Sequence, residues 1–141
     1  MSAFRLSAVP IEVAPLRAAL LAHGAGAYAS FEGWVRDHNE GRAVRGLAYE
    51  AYAALAESEG AKVLAEARER FAIVEVACVH RVGELALGEL AVWVGVSAAH
   101  RGPAFEACRW IIDEVKSRVP IWKNERYADG KGQWLHPQPP G

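Results

Sequence analysis

The segment Ile73–Val82 most constrains the fold, because it is a β-rich run that is apolar on both faces. Its alternating side chains leave hardly any polar side, with Val74, Val76 and Cys78 on one face and Ile73, Ala77 and Val79 on the other. A strand of this kind needs cover on both faces, from helices or from a second subunit. The pattern therefore predicts a layered fold, and a homodimer would also fit it.

A second β-rich run, Glu89–Ser97, follows after a connection from Gly83 to Gly88. Glycine at both ends of this connection suits a hairpin, so the two strands are predicted to lie side by side. Earlier in the chain, the string DHNEGR at positions 37–42 is rich in turn formers and charge and predicts an exposed, mobile loop. Further strands are predicted at Phe4–Val9, Ala27–Arg36 and Val44–Tyr52, with two short ones around the turn DGKG.

Two long amphipathic helices are predicted to supply the cover. Leu55–Phe71 carries one apolar stripe of Val63, Leu64, Ala67 and Phe71. Gly102–Val119 places six apolar residues on one face, namely Phe105, Cys108, Ile111, Ile112, Val115 and Val119. A short helix is predicted at Pro15–Ala22. The resulting order, βαββαββαββ, predicts an α+β fold with mostly antiparallel sheets.

Composition narrows the class of protein. A length of 141 residues fits one domain over 1–141, with the proline-rich end 136–141 as a flexible tail. A formal net charge of −1 argues against nucleic-acid binding.

There is no signal-like N-terminus and no run of about eighteen apolar residues, so neither export nor membrane binding is expected. The expected location is the cytoplasm. Cys78 and Cys108 stand alone in apolar surroundings and are predicted to be buried thiols.

Several cationic residues stand where a purely structural account does not predict a charge. Arg36 closes the strand FEGWVR beside the exposed loop, although a solvated arginine at a strand end would look the same. His100 and Arg101 lie between an apolar strand and a helix, where unpaired N–H groups and the helix dipole attract anions. The alternative is that His100 caps or packs at the junction while Arg101 pairs with a carboxylate such as Glu106. These positions indicate an anion site and leave that alternative open.

Two lysines have partly apolar settings. Lys116 lies at the edge of the apolar stripe of its helix, so its stem is expected to be buried. Lys123 follows the stiff apolar stretch VPIW, where desolvation would favour the uncharged, reactive amine. Glu125 is a candidate ion-pair partner for it. The ordinary alternative, in which the stem packs while the amine stays in water, is open for both lysines.

Common cofactor and hydrolase motifs are absent from the sequence, which has no GxGxxG, P-loop, GxSxG or paired metal-ligand spacing. The dipeptide HR occurs twice, at His80 and His100, but neither histidine has a Cys or Asp partner at nucleophile-triad spacing. No cofactor and no metal are therefore expected. The residues alone indicate an anion-binding α+β domain.

Three long strings carry a resemblance to a known family: FEGWVRDHNEGRAVRGLAYEAY, HRVGELALGELAVWVGVSAAHRGPAFEACRWIIDEVKSRVPIWKNE and DGKGQW. Over about residues 26 to 135 their order and spacing resemble the molybdopterin synthase catalytic subunit family. The resemblance implies an α/β-hammerhead-type fold. It also implies a homodimer that binds a small ubiquitin-like sulfur-carrier subunit at each end, giving a heterotetramer.

The resemblance further implies a sulfurtransferase reaction. Sulfur moves from the thiocarboxylated C-terminus of the carrier to cyclic pyranopterin monophosphate, giving the dithiolene of molybdopterin for molybdenum cofactor biosynthesis. The matched site positions are Arg36 in GWVR, His100 and Arg101 in AHR, Lys116 on the helix and Lys123 in PxWK. Lys116 and Lys123 are expected to be catalytic and to contact substrate. Secondary substrate contacts are expected from Trp34, Val35, Asn124 and Glu125.

Physical chemistry supplies a reason for these residue types. The pterin phosphate and the carrier thiocarboxylate are both anions, which repel each other unless cations hold them together. Two departures from the family pattern concern secondary contacts: Asn124 replaces a basic residue of many relatives, and the tail HPQPPG lacks a basic residue that often reaches a neighbouring site in the dimer. The rival hypothesis is a non-catalytic module that binds a ubiquitin-like carrier, which would have no use for clustered lysines.

Overall fold

The computed structural model describes residues 4–130 and 132–135. Its helices are α1 (Val13–Ala18), α2 (Ala53–Arg70) and α3 (Arg101–Arg118). Its strands are β1 (Phe4–Ser7), β2 (Ala27–Trp34), β3 (His38–Asn39), β4 (Arg42–Ala51), β5 (Glu75–Arg81), β6 (Gly83–Ala86), β7 (Leu90–Ala98), β8 (Ile121–Tyr127) and β9 (Gly132–Leu135).

The first sheet has the strand order β1-β5-β7-β2. β5 and β7 are antiparallel neighbours, with Cys78 opposite Val94, which confirms the predicted pairing. β2 is antiparallel to β7, while β1 runs parallel to β5. The two 18-residue helices α2 and α3 pack on one face of this sheet and form the main core with it.

The two apolar faces of β5 are both covered within the chain. Val76 and Cys78 belong to the main core beneath the long helices. Val79 points the other way and packs with Leu20 and Trp93 in a separate cluster that includes residues of α1. Successive side chains of a strand alternate between faces, so one strand serves both clusters. The predicted cover by helices is confirmed.

The second sheet has the order β3-β4-β8-β9, and β6 also pairs with β4; all these pairs are antiparallel. Leu47 and Leu85 of this sheet pack against Val35 and Ala91, so a small apolar cluster joins the two sheets. Three helices with mostly antiparallel sheets confirm the predicted α+β class.

Two short strands were not predicted. The string DHNEGR contains β3, which turns back onto β4 through Glu40 and Gly41, both at positive φ. The connection Gly83–Gly88 contains β6, which leaves the first sheet to pair with β4. Gly83 and Gly88 both have a positive φ, a backbone conformation that glycine adopts without the Cβ clash of other residues. They turn the chain into and out of β6, so the connection is more than a hairpin turn.

Two details of the helices also differ from the sequence prediction. α1 spans Val13–Ala18 rather than the predicted Pro15–Ala22. Pro15 lies in its first turn, where proline is tolerated. Phe105 was predicted to lie on the buried face of α3, but it is 65% exposed. Its position on the helix lies outside the stripe formed by Ala104, Cys108, Ile111 and Val115.

The remaining sequence predictions concern burial and the ends of the chain. Cys78 and Cys108 are buried and unbonded to each other, as predicted. The predicted tail 136–141 lies outside the described residues. Within the described ranges, no helix is long and apolar enough to cross a membrane.

Candidate active site

A cavity of about 430 Å³ opens where the two sheets meet the C-terminal half of α3. We call it the cleft. Its walls come from β2 and the segment after it, β4, β5, β7, α3 and β8. Six of the residues predicted for the site line it, namely Trp34, Val35, Arg36, Lys116, Lys123 and Glu125. The fold therefore brings together residues that are far apart in sequence.

Lys116 lies in the last turn of α3 and is half-buried. Burial lowers the pKa of its ammonium, and the positive charges of Lys123 and Arg36 lower it further, while Asp113 opposes them. The lysine can therefore lose its proton at a lower pH than an exposed lysine. The predicted burial of its stem agrees with this position.

Lys123 and Glu125 form a buried ion pair. Lys123 Nζ lies 2.9 Å from Glu125 Oε1, and the two side chains are 15% and 3% exposed. The partner predicted for Lys123 is therefore confirmed. Within the described residues Glu125 Oε2 has no hydrogen-bond partner. This oxygen is buried, and its residue lines the cleft.

Arg36 lies at the mouth of the cleft, two residues after the end of β2. It is exposed and donates a hydrogen bond to Asn39 Oδ1 over 3.4 Å. Beside it, Trp34 is 66% exposed and its indole N–H donates to Glu32, whereas Val35 is buried in the cluster that joins the sheets. An exposed arginine is free to contact an anion that enters here.

Three predicted site residues do not line the cleft of their own chain. His100 and Arg101 are exposed at the start of α3, and the His100 side chain makes no capping hydrogen bond. Lys116 lies fifteen residues further along the helix than Arg101, a separation of about 22 Å at 1.5 Å per residue. Asn124 is buried on the opposite face of β8 from Lys123, where it accepts a hydrogen bond from Arg126.

Tyr49 and His80 are among the cleft residues that were not predicted for the site. His80 is the second-last residue of β5, and Tyr49 lies in β4 beside Lys123 of β8. Their rings form a T-shaped contact with centroids 4.8 Å apart. The alternation of β5 puts His80 on the same face as Val76 and Cys78, and a histidine that ends such an apolar row was the available sequence signal.

Comparisons with known proteins agree on one family. The family model described as MoaE protein matches residues 6–118. The molybdopterin synthase catalytic subunit of Oryza sativa subsp. indica is 52% identical over 107 residues, which cover 76% of this chain and 55% of that protein. The chain thus spans about half the length of this relative. The subunit of the same name from Thermoplasma volcanium is 47% identical, over 78% of this chain and 80% of that protein.

A solved structure supports the same relationship. The crystal structure of molybdopterin synthase from Staphylococcus aureus superposes with a TM-score of 0.89 at 33% sequence identity. The superposition covers 96% of this chain and 98% of that chain. Sequence and fold therefore agree: the chain belongs to the MoaE protein family, together with the molybdopterin synthase catalytic subunits that it matches.

Proposed function

We propose that this chain is the catalytic subunit of a molybdopterin synthase, an enzyme that transfers sulfur from a small ubiquitin-like carrier subunit to cyclic pyranopterin monophosphate. The observation that carries the proposal is the convergence of Arg36, Lys116 and Lys123 on one cleft. Such a cleft suits two anionic reactants, since cations offset the repulsion between a phosphate and a thiocarboxylate. The names of the relatives support the same assignment.

The chemistry exchanges sulfur for oxygen. The carrier thiocarboxylate becomes a carboxylate, and a pterin carbon exchanges a C–O bond for a C–S bond, so no oxidant or reductant is needed. Arg36 binds the phosphate, because a guanidinium matches its oxygens. An uncharged Lys116 amine attacks the terminal carbonyl carbon of the carrier, forming an amide link and releasing hydrosulfide for the pterin. Water then hydrolyses the link.

Lys123 has the role of proton carrier in this scheme. As an ammonium held by Glu125 it can protonate the oxygen that leaves the pterin and recover a proton from the incoming sulfur. The buried carboxylate keeps the amine in place between these steps. Glu125 and Trp34 are proposed as secondary contacts of the substrate.

Reconstitution tests the function directly. The purified chain is mixed with thiocarboxylated carrier and the pyranopterin precursor, and molybdopterin is measured as its oxidised fluorescent derivative. We expect product with the thiocarboxylated carrier and none with a carrier that ends in an ordinary carboxylate. Carrier binding without any product would favour a non-catalytic binding module and contradict the proposal.

The position of His100 and Arg101 supports a homodimer. Because they lie about 22 Å from Lys116 along the same helix, they can join a cleft only if a second copy supplies them. In this arrangement His100 and Arg101 of each protomer complete the cleft of the other and add positive charge to it. Exposed Phe105, one turn further along α3, would then lie close to the contact between protomers. A carrier at each end of the dimer gives a heterotetramer, and the expected location is the cytoplasm.

Mixed dimers test whether the site is shared. Arg101→Ala and Lys116→Ala proteins should each be nearly inactive alone. After subunit exchange at equal amounts, about a quarter of the clefts would combine an intact Lys116 with an intact Arg101 of the partner subunit, because a two-fold dimer of unlike protomers has one intact cleft. Recovery of about that fraction of wild-type activity is expected. No recovery, with exchange verified by mass spectrometry, would place Arg101 outside the shared cleft.

A further inference from the structure

Tyr49 and His80 line the cleft, but the proposed sulfur transfer gives neither a task. They come from different sheets, Tyr49 from β4 and His80 from β5, and their rings meet edge to face with an interplanar angle of 86°. The charged side chains that line the cleft include the cations Arg36, Lys116 and Lys123 and the carboxylate of Glu125. Tyr49 and His80 can therefore make hydrogen bonds in the cleft without adding charge to it.

The hydrogen bonding of His80 fixes its tautomer. Nδ1 lies 2.8 Å from the backbone oxygen of Arg81, and a carbonyl oxygen only accepts, so Nδ1 carries the hydrogen and donates. Nε2 is then left with a lone pair, and the ring that carries it lines the cleft. The buried imidazole thus presents a hydrogen-bond acceptor.

His80 stays uncharged at neutral pH. Burial lowers its pKa to about 4; the hydrogen bond to Arg81 opposes this shift, and the charge of Lys116 adds to it. At pH 7 the ring therefore carries a single proton, the one on Nδ1. His80 is accordingly an acceptor of hydrogen bonds and too weak a base to shuttle protons at this pH.

Tyr49 complements it as a donor. Burial, together with the carboxylate of Glu125, raises the pKa of Tyr49 to about 12, so the hydroxyl keeps its hydrogen. Among the described residues this hydroxyl has no hydrogen-bond partner. A phenol that lines a cleft without a partner is available to donate to a ligand.

We propose that His80 and Tyr49 bind an uncharged hydrogen-bonding edge of the substrate, His80 Nε2 accepting from an N–H or O–H group and the Tyr49 hydroxyl donating to an oxygen or nitrogen atom. This inference rests on the proposed function, in which the substrate is a pterin whose ring system carries both kinds of group. The cations hold the anionic parts of the reactants, and the neutral pair selects the ring. A site built to hydrogen-bond a group rejects analogues that lack it, because its own polar atoms would stay unpaired.

Three substitutions separate the contributions. Tyr49→Phe removes the hydroxyl and keeps the ring contact. His80→Asn keeps an N–H close to Arg81 but has no atom at the position of Nε2, whereas His80→Gln reaches that position and serves as the matched control. We expect Tyr49→Phe and His80→Asn to raise the dissociation constant of the precursor about threefold to tenfold, as loss of one neutral hydrogen bond does. His80→Gln should bind more tightly than His80→Asn.

Calorimetry with the precursor and competition by inorganic phosphate provide the readout. kcat at saturating precursor should stay within about twofold of wild type, because the neutral pair acts in binding. The inhibition constant of phosphate should not change, since phosphate has no such edge. Equal losses of precursor and phosphate affinity would indicate a general distortion of the cleft and overturn the inference.

The outcomes distinguish this inference from the function itself. A wild-type protein that makes no molybdopterin contradicts the proposed function. A wild-type protein that turns over, with Tyr49→Phe and His80→Asn binding the precursor as tightly as wild type, overturns only the role of the neutral pair. If His80→Asn fails to fold, as judged by thermal melting, Tyr49→Phe decides alone.

Discussion

Lys116 is a residue whose reactivity depends on its surroundings. Burial disfavours its ammonium, and the charges of Lys123 and Arg36 act in the same direction. Asp113 acts in the opposite direction, because its carboxylate favours the ammonium. The proposed attack on the carrier needs the uncharged amine, so the rate should rise with pH through the pKa of Lys116.

Arg36→Gln should move this rise to higher pH. Removing a positive charge that disfavours the ammonium raises the pKa of Lys116, so more alkaline solution is needed to reach the same uncharged fraction. Arg36 is exposed and screened by water, which limits the expected shift to a few tenths of a unit up to about 1 unit. The measurement is kcat against pH at saturating precursor, which removes the effect of weaker phosphate binding.

Arg36→Lys is the matched control, because it keeps the charge and loses the two-pronged contact with phosphate. It should leave the pH of the rise nearly unchanged while raising KM. An equal pH shift in both variants would show that the charge of Arg36 does not lower the pKa of Lys116.

Sequence reasoning at the residue scale found Arg36, Lys116 and Lys123 but missed Tyr49 and His80. A lysine on the border of an apolar stripe, as at Lys116, is recognisable from helical spacing alone. The partner of Lys123 was also recognisable, since Glu125 lies two residues away on the same side of a strand. Tyr49 and His80 were not predicted for the site, because their meeting depends on how two sheets are placed.

At the scale of elements, the contact of α2 with β1 depends on a glycine inside a helix. A Cβ at Gly60 would lie 2.2–2.5 Å from ring atoms of Phe4, which is itself 2% exposed. The edge strand β1 can therefore approach α2 only because this position has no side chain. Helix propensity alone would favour alanine at the same site.

Gly60→Ala is predicted to destabilise the protein by about 1–3 kcal/mol, the usual cost of overpacking, although alanine is the better helix former. Gly102→Ala is the matched control in α3, where a Cβ would meet nothing within 4 Å; it should be neutral or stabilise by up to about 1 kcal/mol. Urea unfolding measures both free energies. Equal effects of the two substitutions would contradict the proposed contact.

The long elements were predictable and the short ones were not. Periodicity over 18-residue helices is a strong signal, so α2 and α3 were found within two residues at the start and one at the end. β3 and β6 have two and four residues and owe their existence to pairing with β4. Pairing between distant segments leaves no periodic trace in so short a run.

At the scale of the whole molecule, the cleft exists because two sheets meet beside the end of α3. Arg36 follows β2 of the first sheet, while Lys123 lies on β8 of the second. The α+β class followed from the element order, but the division into two sheets did not, because nothing in the sequence assigns β4 and β8 to a sheet of their own. That residues 1–141 form one domain stays a prediction.

The position of His100 and Arg101 also belongs to this scale. The sequence indicated an anion site at the start of a helix, and the start of α3 is indeed exposed. Within one chain, the start of α3 lies about 22 Å along the helix from Lys116 in the cleft. Only a second copy could unite them, and an assembly of two chains is a property that local sequence patterns do not determine.

The rate of molybdopterin formation by lysine variants tests the central claim most directly. Lys116→Ala and Lys123→Ala are assayed with saturating thiocarboxylated carrier and precursor, after melting and gel filtration verify that each variant is folded and binds the carrier. Both should be slower than wild type by roughly 10²- to 10⁴-fold, because each removes a group that handles protons or attacks the carrier. A normal rate in the folded, carrier-bound variants would contradict the account of the cleft.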